Sequence, residues 1–152
     1  MTKDKKKIAV VTSSIFIPFV FIQSLFFKFS DAPETQHIFN VLNDWAASAF
    51  GVEGLFVKPG IFNAHVIGSA ELVASLLVLA GLFLGKKTLT LLGALLAFGV
   101  ITGAIFFHLF TPLGVDVQDD GGTLFFMACG VWISALFLIL THKNALLNKG
   151  SI

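Results

Sequence analysis

Apolar residues gather into four runs along this chain, about 8–29, 61–84, 88–110 and 123–141, with polar stretches between them. Each run is close to the ~20 residues with which an α-helix crosses ~30 Å of hydrocarbon. The pattern predicts an all-α fold, an integral membrane four-helix bundle, with residues 1–152 forming a single transmembrane domain. Only Gly85, Lys86 and Lys87 join the second run to the third, which predicts a tight helical hairpin. The long connection is 30–60. Within it Ile38, Val41, Leu42, Trp45, Ala46 and Ala49 recur at helical spacing, so a short helix is expected over 31–50. Asp31 and Glu34 bracket Pro33 in a pattern resembling a capping box, which would start that helix. Trp45 on its apolar face suits a short extracytoplasmic helix that lies in the membrane interface or closes the end of the bundle.

Charge sets the expected orientation. Lys3, Lys5, Lys6 and Lys7 precede the first run, Lys86 and Lys87 sit in the hairpin turn, and Lys143 and Lys149 follow the fourth run. The other two connections carry only Lys58, with Lys28 closing the first run, and 111–122 is acidic through Asp116, Asp119 and Asp120. By the positive-inside rule, the hairpin turn and both termini are expected on the cytoplasmic side. Composition agrees with a lipid bilayer as solvent. The chain is 56% hydrophobic and 12% charged with a mean hydropathy of +0.90, and a soluble domain carries about twice that charge. The first run has the basic start of a signal peptide. Its apolar stretch exceeds the usual ~7–15 residues and no A-x-A-like site follows, so it is expected to remain a span. Cys129 is the only cysteine, which excludes an internal disulfide and a C-x-x-C redox pair. There is no Gly-rich phosphate loop and no serine nucleophile elbow, and no nucleic-acid partner is expected.

Ionisable residues inside a span cost about 2.5–3.5 kcal/mol each near the helix centre, so the few present are candidates for function. They are Lys28, His65, Glu71 and His108, with Gln23 and Ser24 beside them. Counted from Ile61 at ~1.5 Å per residue, Glu71 lies roughly 15 Å down, near the midplane, and His65 about 9 Å nearer the outside. Lys28 and His108 close their spans on that same side. The cytoplasmic halves hold no buried ionisable group, so any polar cavity should open outward. On a helical wheel Ala64, Gly68, Glu71 and Ser75 share a face, as do Gly93, Ala97, Ala104 and His108. Small residues on such faces let membrane helices pack closely. Glu71 and His108 should therefore point into the bundle and are the catalytic candidates, with Lys28, Ser24 and His65 as ligand-binding candidates. A mid-depth carboxyl needs a cationic or hydrogen-bonding partner. Glu71 is too short to close two helical turns to Lys28 or His108, so direct pairing needs tilt or a bridging water, and a small polar cavity open to the outside is expected between Glu71 and His108. Plainer roles compete: Lys28 can snorkel to the headgroups, His65 can be an ordinary interfacial residue, and His108 can bond a neighbouring helix. No H-x-x-x-H or C-x-x-C spacing supports a zinc site, and no metal is expected.

The segment from Phe21 to Phe29, with Ser24 one turn before Lys28, resembles the first-span ending of the DoxX family. Gly68-Ser-Ala-Glu-Leu72 resembles its second-span glutamate motif. Gly103-Ala-Ile-Phe-Phe-His108, followed by Leu-Phe-Thr-Pro-Leu-Gly114, is similar to the third-span ending of DoxX-like proteins, and Asp120-Gly-Gly-Thr-Leu-Phe125 to their entry into span four. These motifs follow in order over nearly the whole chain. The resemblance implies a four-helix bundle in a bacterial inner (plasma) membrane and points at Lys28, Glu71 and His108. Some members resemble the membrane subunit of thiosulfate:quinone oxidoreductases, and distant relatives act as membrane assembly factors.

Two functions are expected to compete. The first is a redox-system membrane subunit handling a quinone or another small molecule in an outward-facing pocket, beside a partner membrane or extracytoplasmic subunit. Quinone reduction consumes protons, and a carboxyl at mid-depth suits that task. The second is a non-enzymatic accessory or assembly subunit whose polar residues fix helix packing. An open cavity reaching Glu71 would favour the first; a Glu71 paired and closed off would favour the second.

Overall fold

Thr2 starts the first helix: its hydroxyl accepts the Lys5 N–H at 3.5 Å, and Asp4 lies in the first turn, where a negative charge suits the helix dipole. Helix α1 therefore runs Lys3–Phe29, taking in the lysines that precede the apolar run. The computed structural model describes residues 2–145, and Lys149 lies outside them. After α1 come α2 (Pro33–Phe50), α3 (Ala64–Phe83), α4 (Lys87–Phe110) and α5 (Thr123–His142), followed by a 3-10 turn at Lys143–Ala145. No strand occurs among the described residues. Four segments are long and apolar enough to cross a membrane: Lys3–Phe29, Ala64–Phe83, Lys87–Phe110 and Thr123–Ala145. Only 22–33% of the most apolar stretch in each is buried within the protein. Large side chains such as Phe19, Phe26, Leu76, Phe83 and Ile133 face outward. That much exposed apolar surface calls for lipid around it, and the chain is an integral membrane protein.

The four spans form a ring in the order α1, α3, α4, α5, with α5 closing back on α1. Consecutive spans run antiparallel. One core fills the ring, built from Ile17 and Phe21, Val78, Ala97 and Ile101, Val131 and Leu138. The faces picked out by helical period are the buried ones. Ala64, Gly68, Glu71 and Ser75 are buried on α3, and Gly93, Ala97 and His108 on α4, with Ala104 at the margin. Small residues matter most along the α3–α4 hairpin. A Cβ on Gly93 would lie 2.8 Å from the Ala74 carbonyl oxygen and from the Val78 backbone nitrogen. The hairpin turns at Gly85, whose φ of +65° ends α3 while the Lys86 N–H bonds the Gly81 carbonyl at 2.9 Å.

Helix α2 closes the end of the bundle remote from the N-terminus. Leu42 and Ala46 pack with Phe56, Leu113 and Val117 in a second apolar cluster, joined by Ile38 and Trp45. Trp45 meets Phe107 at the end of α4 edge-on, ring centroids 6.1 Å apart. The start of α2 differs from expectation. Ala32 is its N-cap and makes no side-chain bond, with Pro33 in the first turn. Asp31 forms no capping box because its carboxylate is turned toward Lys58 and His65.

Candidate functional site: a lysine–serine–glutamate cluster between α1 and α3

Antiparallel helices aim their side chains toward each other's level. Every Cα–Cβ bond in a helix tilts toward that helix's N-terminus. Lys28, near the C-terminal end of α1, therefore leans back into the bundle, and Glu71 leans toward the end where α3 begins. The two converge with Ser24 between them. Lys28 Nζ donates to Glu71 Oε1 at 3.1 Å and lies 3.0 Å from Oε2. It also donates to Ser24 Oγ at 3.0 Å. Ser24 Oγ is 2.8 Å from Glu71 Oε2 and 2.9 Å from the Phe21 carbonyl, and its one proton serves one of them at a time. The aliphatic stem of Lys28 lies across Gly68, where an added Cβ would stand 3.4 Å from Lys28 Cδ. Glu71 is 5% exposed. Its carboxylate thus has the cation and the hydroxyl that a buried charge requires.

This pairing overturns two expectations. Lys28 turns inward instead of snorkelling outward, and Glu71 meets α1 instead of facing His108 across a cavity. The error was in depth and direction. Asn63 Oδ1 accepts the N–H groups of His65 (2.9 Å) and Val66 (3.2 Å), so α3 begins at Ala64 rather than Ile61. From Ala64, Glu71 is about 10 Å along its helix; Ser24 is about 8 Å from the end of α1, at ~1.5 Å per residue. The two side chains stand at nearly one level.

His108 is buried, but its Nδ1 donates to the Gly114 carbonyl at 2.7 Å and its ring meets Phe125 edge-on. It fastens the 111–122 connection to the end of α4. His65 joins a second polar group near the first: its Nε2 is 3.0 Å from Asp31 Oδ1, while Lys58 Nζ holds Asp31 Oδ2 at 2.7 Å. Asp31 has φ +52°, a left-handed conformation that aspartate tolerates better than most residues. The hydrogen bond from Lys58 is the chief cause holding the Asp31 carboxyl below its ordinary value, with the Lys58 and His65 charges adding to it against some desolvation. Asp120 anchors the other connection, its carboxylate accepting the N–H groups of Val117, Gly122 and Leu124. Desolvation pushes its carboxyl up, but those three bonds together with the nearby His108 outweigh it and the net direction is down. Asp120 thereby supplies the start of α5, where Gly122 is the N-cap and offers no side chain.

Two residues escaped the sequence reading. His142 is buried at the far end of the bundle, its Nδ1 donating to the Leu138 carbonyl at 2.9 Å, so an ionisable group does lie buried in that half. Ser14 is wholly buried there and its hydroxyl has no partner among the described residues. Hydropathy gives no sign of either, because both depend on what the neighbouring helices bring. Two open cavities lie at that end too, one between α1 and α5 and the other between α1, the α3–α4 turn and α5. Among the described residues no three His, Cys, Asp or Glu side chains converge as metal ligands.

Fold and site together define a four-span integral membrane protein with a buried lysine–glutamate pair near one end and a helical cap over that end. Comparison with known proteins finds no matching family model, no matching curated protein and no matching solved structure.

Proposed function

We propose that this chain is a DoxX-like accessory or assembly subunit of a bacterial inner membrane, in which the Lys28–Ser24–Glu71 cluster is a clamp. The observation that carries the reading is the closure of the cluster: both carboxylate oxygens of Glu71 are engaged, and the residue is 5% exposed. Such a pair joins α1 to α3 at the level where α2 and the two long connections pack on the bundle. With the lysine-rich end on the cytoplasmic side, the α2 cap lies in the outer interface, a rigid platform for a membrane or extracytoplasmic partner. The order of the Lys28, Glu71, His108 and Asp120 motifs supports the DoxX-like assignment.

One observation favours a second reading, a redox subunit that handles a quinone. The Lys28 side chain is 15% exposed against 7% for Glu71, so Lys28 is the member of the pair that a small molecule with an acceptor oxygen would meet first. Lys28 would then donate to that oxygen and Glu71 would pass on the proton.

Three variants separate the readings: Lys28→Met, Glu71→Gln and the two together. Removing one partner of a buried pair leaves the other uncompensated, at about 3–5 kcal/mol, whereas removing both is close to neutral. For a clamp, each single variant melts at a lower temperature in mild detergent and the double variant recovers most of the loss. The double variant then co-purifies the same proteins as the wild type. A double variant that is folded but has lost a quinone found in the wild-type preparation by mass spectrometry would overturn the clamp in favour of the redox subunit.

A further inference from the structure

The end of the bundle opposite the clamp holds an open cavity of about 460 Å³ between α1, the α3–α4 turn and the end of α5. Lys3, Lys6, Lys7 and Lys87 line it, with His142 and Ser14. No acidic side chain is among its lining residues, and neither salt-bridged lysine of the described residues, Lys28 or Lys58, is one of these four. Among the described residues the cavity is therefore a concentrated positive site whose lining holds no counter-charge. The N-terminus of α4 opens beside it with no side chain capping it, which adds the positive end of a helix dipole. The C-terminal end of α3 subtracts little, because its Gly81 and Leu82 carbonyls are occupied by the Lys86 and Gly85 N–H groups.

Ser14 points independently to a ligand. Several helical hydroxyls in this protein fold back on the carbonyl four residues earlier: Ser69 on His65, Ser75 on Glu71, Thr102 on Phe98. Ser14 does not. Its Oγ is closed to solvent and has no partner among the described residues, and Ser14 is one of the residues that line the cavity. A buried hydroxyl left unsatisfied is destabilising, and an acceptor in the cavity removes that penalty.

We infer that this cavity binds the phosphate headgroup of one anionic phospholipid. The lysines meet the phosphate oxygens, and the Ser14 hydroxyl, closed to solvent in this structure, reaches one by rotating about its Cα–Cβ bond. Val10, Val11 and Leu82 form an apolar wall on which the start of an acyl chain lies. That wall, in a cavity far larger than a phosphate ion at the end of a lipid-facing bundle, selects a lipid over free phosphate. Basic pockets between spans are a known mode of headgroup recognition.

The full chain, purified in mild detergent and stripped of lipid, is offered phosphatidylglycerol, phosphatidylcholine or inorganic phosphate in turn. Native mass spectrometry and thermal unfolding read the outcome. One phosphatidylglycerol should be retained per chain and raise the melting temperature, with phosphatidylcholine and phosphate doing neither. At about 1 kcal/mol per lysine, the variant Lys6→Gln/Lys7→Gln/Lys87→Gln should weaken retention on the order of 100-fold. Lys5→Gln removes the same kind of charge from the neighbouring groove against α5 and should change retention little. Ser14→Ala should weaken retention about tenfold, as for a hydrogen bond to a charged group. Equal losses from Lys5→Gln and from each cavity lysine would show a diffuse surface field and overturn the site. Stabilisation by inorganic phosphate equal to that by phosphatidylglycerol would overturn the lipid. A Ser14→Ala protein that is more stable with unchanged retention would remove Ser14 from the site.

Discussion

At the scale of single residues, two polar groups of this protein link segments distant in sequence. Lys28 and Glu71 are the buried example, Asp31 with Lys58 and His65 the exposed one. The exposed group pins the 51–63 connection against the end of α1, and its test is one of acidity. A carboxyl held below its ordinary value of 3.8 contributes stability above that pH and loses it as pH falls through the lower folded value. The connection should therefore resist protease at neutral and mildly acidic pH, and that resistance should fade only below about 3.8. Asp31→Asn keeps a residue that tolerates φ +52° while removing the charge. Its connection should be cut faster at neutral pH, and the acid dependence should be absent. Unchanged cutting in Asp31→Asn would mean that apolar packing of Phe56 alone holds the connection.

At the scale of helices, close approach is concentrated in the α3–α4 hairpin, and two glycines separate that effect from mere small size. Gly93 faces the α3 backbone with room for no Cβ, since Ala74 and Val78 stand 2.8 Å from where it would be. Backbone cannot move aside cheaply, so Gly93→Ala should destabilise the bundle by about 1–3 kcal/mol. Gly68 faces Leu25, Phe29 and the Lys28 stem at 3.4 Å, ordinary contact distance. Gly68→Ala should be close to neutral, or slightly stabilising through helix propensity, since glycine in a helix interior costs about 1 kcal/mol. Unfolding of both variants in detergent by circular dichroism makes the comparison. A larger loss at Gly68 than at Gly93 would mean that the Lys28 stem is more tightly held than its contacts suggest.

At the scale of the molecule, the two ends of the bundle have different chemistry. One end carries α2, the clamp and the acidic 111–122 connection; the other carries the lysines, His142 and the open cavity. The proposed orientation, with the lysine-rich end cytoplasmic, has a direct test: single cysteines introduced at Lys86 and Lys143 in a Cys129→Ala background should resist a membrane-impermeant thiol reagent in intact cells. Cysteines at Asp44 and Asp119 should react. Labelling at position 86 from outside would invert the orientation and put the clamp on the cytoplasmic side. The clamp itself would survive that result, because its distances do not depend on which leaflet it faces.

The four spans, the hairpin and the buried faces of α3 and α4 were legible in the amino-acid sequence because they rest on local properties. Apolar length decides what crosses a membrane, and the helical period decides which residues share a face, whatever surrounds them. The helicity of α2 was legible for the same reason, through Ile38, Leu42 and Trp45. Lys28 was legible as one of two candidate partners for Glu71, but which of the two Glu71 takes was not. It depended on where Asn63 starts α3 and on the opposed tilt of side chains in antiparallel helices, which brings Lys28 down and Glu71 up to one level. Asp31 looked like a helix cap and became the partner of Lys58 and His65 because the tertiary fold carried those residues to it. Ser14 and His142 had no signal in their own segments. Their burial, and the basic cavity they share, exist only where α1, the α3–α4 turn and the end of α5 meet.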